Sequence, residues 1–144
     1  MTRGEVEVDE GHERGHRVTR VWLEPCARIH PVVKEAIGGF DAAVIGPGSF
    51  FTSLMPTLLV EGVAEALASV KGPIILVSNL LTEGRGMGGF TAQDAVEWVG
   101  HMIGRPVDVV IANSELPPEA VLAATATSTR SRWPSGSSRR RASW

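Results

Sequence analysis

The run Ala43-Val44-Ile45-Gly46-Pro47-Gly48-Ser49-Phe50-Phe51-Thr52-Ser53 constrains this chain more than any other. A short apolar stretch stops at Gly-Pro-Gly, and small hydroxyl residues follow before a new apolar segment begins. This is the layout of a buried strand entering a tight loop whose backbone can come close to a ligand. In open parallel sheets such loops gather at the carboxyl edge of the strands, where ligands bind.

Around that run the sequence alternates two periods. Arg17 to Glu24 alternates apolar and polar residues and reads as a strand. Pro31 to Gly39 places Val32, Val33, Ala36 and Ile37 on one helical face, with proline at the start and glycine at the end. Ala42 to Ile45 is a second strand, and Ser53 to Leu59 a short helical turn interrupted at Pro56. Glu61 to Val70 reads as a helix with Val63, Ala64, Leu67 and Val70 apolar. Pro73 to Ser78 is a continuous apolar run, as in a strand covered on both faces. Thr91 offers an N-cap with Asp94 three residues on, opening a helix to about Ile103 with Ala95, Val99 and Met102 on its buried side. Asp108 to Ala112 is a fourth strand, and Pro117-Pro118-Glu119 opens a last helix. Such alternation predicts an α/β fold, a partial Rossmann-like parallel sheet with helices on both faces.

Composition narrows the class. A hydrophobic fraction of 43% over 144 residues suits one globular domain. No apolar run approaches the roughly 20 residues of a membrane span. The polar start, Met1 to Arg20, has no signal-peptide core, so a cytoplasmic protein is expected. Cys26 is the single cysteine, which leaves no disulfide framework or cysteine metal cluster. The expected organisation is a polar segment over 1–16, a domain over 17–124 and a disordered Ser/Arg-rich tail over 125–144. Five of the 14 basic residues lie in that tail, while all 16 acidic residues precede it. The tail reads as a disordered end, as out-of-frame translation of a GC-rich gene would produce, in preference to a basic arm. The acidic body argues against nucleic acid as a partner.

Three strand ends carry the small polar residues of a shared cleft. Gly46, Gly48, Ser49, Thr52 and Ser53 follow the second strand, Asn79 and Thr82 the third, and Asn113 the fourth. Glycines let backbone N–H groups point at an anion, and neighbouring hydroxyls donate to phosphate or sugar. The first loop lacks both the Walker lysine ending and the dinucleotide G-x-G-x-x-G spacing, so a purely geometric βα turn stays open. Likewise an asparagine at a strand end can simply close a turn. The four histidines show no metal-ligand spacing beyond His12 and His16, which read as a solvated loop. Gly46-Pro47-Gly48-Ser49-Phe50 is not a nucleophile elbow, and no catalytic residue or metal ligand is assigned.

These motifs, taken in order, resemble one family. Asp41 with Gly46-Pro47-Gly48-Ser49-Phe50-Phe51-Thr52-Ser53-Leu54, Pro56 and Leu58-Leu59-Val60 is followed by Gly62 and Glu65-Ala66-Leu67. Arg20-Val21, Leu23 and Pro25 precede it; Asn79-Leu80-Leu81-Thr82 and Gly89-Phe90-Thr91-Ala92 with Asp94 come after. Over about residues 3 to 122 the chain looks like the gluconeogenesis factor family, also described as morphogenesis factors and CofD-like proteins. The resemblance implies a cytoplasmic Rossmann-like protein that binds a nucleotide or UDP-sugar and supports gluconeogenic growth and cell shape. A related branch transfers 2-phospho-L-lactate to a deazaflavin with Mg²⁺, but the hydroxyl-rich loop here is closer to the gluconeogenesis branch.

Two departures shape the expectation. Family members open with a glycine-rich nucleotide-binding strand, loop and helix that this sequence does not contain, so the resemblance implies a truncated family domain. Where the family usually carries a Gln-Pro-Gly-Glu-Thr-type loop, this chain reads Glu83-Gly84-Arg85-Gly86-Met87. The expected function is therefore a truncated regulatory module for a nucleotide-sugar, with homo-oligomerisation left open. The alternatives are a 2-phospho-L-lactate transferase-type phosphotransferase using Mg²⁺, and a non-functional fragment with an exposed sheet edge.

Overall fold

A computed structural model describes residues 18–82, 87, 90–115, 118 and 129–130. The apolar runs build a three-stranded parallel sheet from β1 (Ala43–Ile45), β2 (Ile74–Val77) and β4 (Val109–Ile111), in the order β1-β2-β4. Register pairs Ala43 with Ile74 and Ile45 with Leu76, then Ile75 with Val109 and Val77 with Ile111. A second ladder is short and antiparallel: β3 (Leu81–Thr82) pairs with β5 (Thr129–Arg130), within the Ser/Arg-rich stretch.

Side chains alternate across each strand, so the register sorts the sheet into two faces. Ala43, Ile45, Ile74 and Leu76 are buried and belong to one core cluster. That cluster also takes Ile37 from α1 (Pro31–Gly38), Met55 and Leu58 from α2 (Met55–Leu58), Val63, Ala66 and Leu67 from α3 (Val63–Ala68), and Val99 and Ile103 from α4 (Ala92–Ile103). The opposite face carries Val44, Val109 and Ile111, which are 63%, 40% and 53% exposed. Among the described residues, then, the helices bury one face of an α/β Rossmann-like sheet.

Several local expectations are realised in detail. Thr91 caps α4 through a reciprocal box: its Oγ1 accepts from the Asp94 N–H at 3.1 Å, and Asp94 Oδ2 accepts from the Thr91 N–H at 2.7 Å. Val99 is buried on that helix and His101 is exposed, as its period requires. Pro31 opens α1 behind His30, whose Nδ1 accepts from the Val32 N–H at 3.3 Å.

Other expectations are corrected. Residues 18–24 form no strand; Pro25 cannot donate to a ladder, and the segment contributes Val18 and Val21 to the margin of the core instead. Among the described residues nearby, the pairing is a parallel bridge between Arg28 and Glu61. On α1 the apolar face is not buried as a unit: Val32 and Val33 are exposed and only Ile37 reaches the core. Pro56 does not interrupt a helix. Phe50–Leu54 form a π-helical turn that runs into α2, where Pro56 occupies the first turn and needs no N–H partner. The expected last helix after Pro118 lies outside the described residues, as do His12 and His16.

The ends of the strands away from the Gly-Pro-Gly loop are tied by one network. Asp108 Oδ2 accepts from the Ile74 N–H and from Arg105 Nη2, both at 2.8 Å, and Arg105 Nη1 donates to the Val70 carbonyl at 2.8 Å. One guanidinium thus joins the end of α3 to the start of β2 and β4.

Candidate functional site at the carboxyl edge of the sheet

At the opposite edge, β1 ends at Ile45 and the chain turns sharply at Gly46, with φ at +85°. A Cβ there would lie 2.7 Å from the Val77 carbonyl oxygen, so both the backbone angle and the close approach demand glycine. The Gly46–Pro47 bond is cis. Beyond it Gly48 meets the end of β2: its N–H donates to Asn79 Oδ1 at 3.0 Å, and its carbonyl accepts from Asn79 Nδ2 at 2.8 Å.

Ser49 then caps the π-helical turn, its carbonyl accepting from the N–H groups of Ser53 and Leu54 at 3.0 Å each. The Thr52 Oγ1 hydroxyl donates to Ser49 Oγ at 2.6 Å, so two of the predicted ligand hydroxyls face each other. Ser53 is exposed on the same turn. Phe50 and Phe51, from the middle of this turn, point inward. Their rings meet edge to face at 5.1 Å and both contact Phe90 and Trp98. Edge-on aromatic packing of this kind anchors the turn to the core. The turn thus buries its two phenyl groups in the core and leaves its hydroxyl residues on the outer side.

Between the loop, the end of β2 and the start of α4 lies a cavity of about 40 Å³, room for a few water molecules. Gly48 and Asn79 line it with Ser78, Thr91, Phe50 and Phe90. Of the predicted residues, the fold brings Gly46, Gly48, Ser49, Thr52, Ser53 and Asn79 together at one corner. Asn113, two residues past β4, is exposed and closes its own turn: its Oδ1 accepts from the Glu115 N–H at 3.1 Å. That is the turn-forming use of asparagine. Thr82 occupies β3, opposite Thr129. Sequence reading missed Ser78, Thr91 and the apolar lining. Thr91 was visible as a helix cap, and a cap beside a strand end is a signal for the cavity wall.

Residues 1–141 match the model of the family described as 2-phospho-L-lactate transferase CofD. The chain belongs to the CofD family. It is 34% identical over 124 residues to a gluconeogenesis-factor relative from Aquifex aeolicus, covering 85% of this chain and 38% of that protein. The gluconeogenesis factor of Listeria monocytogenes is 30% identical over 111 residues, covering 76% of this chain and 34% of that protein. A solved Bacillus halodurans protein of the UPF0052 family superposes with a TM-score of 0.78 at 30% identity. The match covers 88% of this chain and 41% of that one. This CofD-family chain therefore spans a little over a third of the length of these relatives. No helix among its described residues is long and apolar enough to cross a membrane.

Proposed function

We propose that this CofD-family chain forms one wall of a site for a nucleotide or UDP-sugar. In this reading it acts as a binding module in the regulation of carbon metabolism and cell shape, not as a catalyst. The observation that carries the reading is the corner where Asn79 meets Gly48 and the Ser49 and Thr52 hydroxyls gather beside it. Sugar hydroxyls and phosphate oxygens are recognised by such small donors and acceptors held on a fixed backbone. The cavity of about 40 Å³ is far smaller than a nucleotide-sugar, so the ligand would lie across the open edge of the sheet. The role in carbon metabolism is supported by the name of the relatives, and the role in cell shape by the family resemblance.

The family description favours a second reading, a phosphotransferase acting with Mg²⁺. Among the described residues no group of three His, Cys, Asp or Glu side chains is placed to hold a metal ion. Isothermal titration with UDP-N-acetylglucosamine separates the proposals: saturable heat without Mg²⁺ is expected for the binding module. A flat titration at millimolar ligand would contradict it.

A further inference from the structure

The β1–β2 ladder cannot continue through the backbone beyond Ile45 and Leu76. Gly46 turns away at positive φ, pressed against the Val77 carbonyl. Two residues later the pairing resumes through a side chain. Asn79 Oδ1 accepts from the Gly48 N–H and Asn79 Nδ2 donates to the Gly48 carbonyl, at 3.0 and 2.8 Å. One carboxamide thus satisfies both backbone polar groups of one residue, as a neighbouring strand would. We propose that Asn79 is a positioning residue that extends the β1–β2 ladder past its end and holds the Gly48 backbone, so that the Ser49–Ser53 turn faces the cleft, without itself bonding the ligand. The part of this inference that concerns a ligand rests on the binding reading above.

The chemistry of the contact is demanding. It needs one acceptor and one donor in a single short planar group, which asparagine has and an ionised aspartate lacks. In Asn79→Asp at neutral pH, one carboxylate oxygen still accepts from the Gly48 N–H while the other faces the Gly48 carbonyl without a proton between them. Once the acid is protonated, around the ordinary aspartate value of about 4, its O–H donates to that carbonyl and the two-point pattern returns. The described neighbours Leu54, Val77, Ser78, Phe90 and Thr91 carry no titratable group, and the carboxylate of Asp94 on α4 is engaged by Thr91.

The test is amide hydrogen exchange at Gly48 in the full chain, compared with wild type at each pH, beside UDP-N-acetylglucosamine titrations. Asn79→Ala is expected to lower Gly48 protection by roughly ten-fold at every pH, the effect of one net hydrogen bond of about 1.4 kcal/mol. Asn79→Asp is expected to lose a smaller part of that protection at pH 7, because its second oxygen faces the Gly48 carbonyl without a proton and pushes the pair apart, and to recover toward wild type on acidification. Should Asn79→Ala fail to fold, recovery of Asn79→Asp at low pH decides alone. Unchanged Gly48 protection in Asn79→Ala, or no recovery of Asn79→Asp, would overturn the inference. So would a variant that loses ligand while Gly48 stays protected, because Asn79 would then be a direct contact. A wild-type chain that binds no nucleotide-sugar would remove the binding reading, yet the exchange measurements would still decide the role of Asn79.

Discussion

Gly72→Ala is expected to cost on the order of 4 kcal/mol or more, or to prevent folding, because nothing around it can yield. A Cβ at this position would stand 1.5 Å from the Asp41 carbonyl oxygen and 2.5 Å from its carbonyl carbon. Both are backbone atoms, so no rotamer change relieves the overlap. Relief requires the starts of β1 and β2 to separate. That would break the bond from the Ala43 N–H to the Pro73 carbonyl, 3.0 Å long, and disturb Arg105, which reaches both Val70 and Gly72. A domain of this size has roughly 5–15 kcal/mol of stability in all. Gly38→Ala is the control: a Cβ there meets nothing within 4 Å, and alanine favours the helix it closes. Urea unfolding should place the control at or above wild type and Gly72→Ala far below. Equal midpoints for the two would show that the strands do not approach as described.

Ile74→Ala is expected to lose about 2–5 kcal/mol, the usual cost of emptying a fully buried aliphatic site. Ile74 has no exposed surface and sits on the central strand, on the face that all the helices cover. Its backbone bonds to Asp108, through the N–H and the carbonyl, survive the substitution, so the loss isolates packing. Ile111→Ala removes the same atoms from the other face, where the side chain is 53% exposed, and should cost under about 1 kcal/mol. The contrast reads out which face is the core. A smaller loss at Ile74 than at Ile111 would reverse the assignment. Either variant also needs a cooperative wild-type transition as its baseline, and a chain without one would agree with the non-functional reading instead.

The fold was legible where the code is local. Gly-Pro-Gly after a β-branched run, and Thr91 with Asp94 before an amphipathic segment, specify a turn and a capped helix whatever surrounds them. What failed depended on partners far along the chain. Whether residues 18–24 pair is decided by whether a distant strand lies beside them, and whether Val32 and Val33 are buried is decided by what lies against α1. Their apolar spacing is the same in either outcome. At the site, the cluster of Gly48, Ser49, Thr52 and Asn79 followed from three strand ends sharing an edge. The role of Asn79 did not: a side chain that completes a ladder and one that binds a sugar are the same letter at the same strand end. Asn113 shows the converse, a strand-end asparagine spent on its own turn.

On the proposed reading, the carboxyl edge of β1 and β2 receives a nucleotide-sugar. Amide NMR of the chain during titration with UDP-N-acetylglucosamine tests it most directly, since it reports where binding occurs as well as whether. Saturable shifts are expected at Gly48, Ser49, Thr52 and Ser53, with Val44 and Asn113 unmoved. No shifts at millimolar ligand, or shifts centred away from that turn, would contradict it.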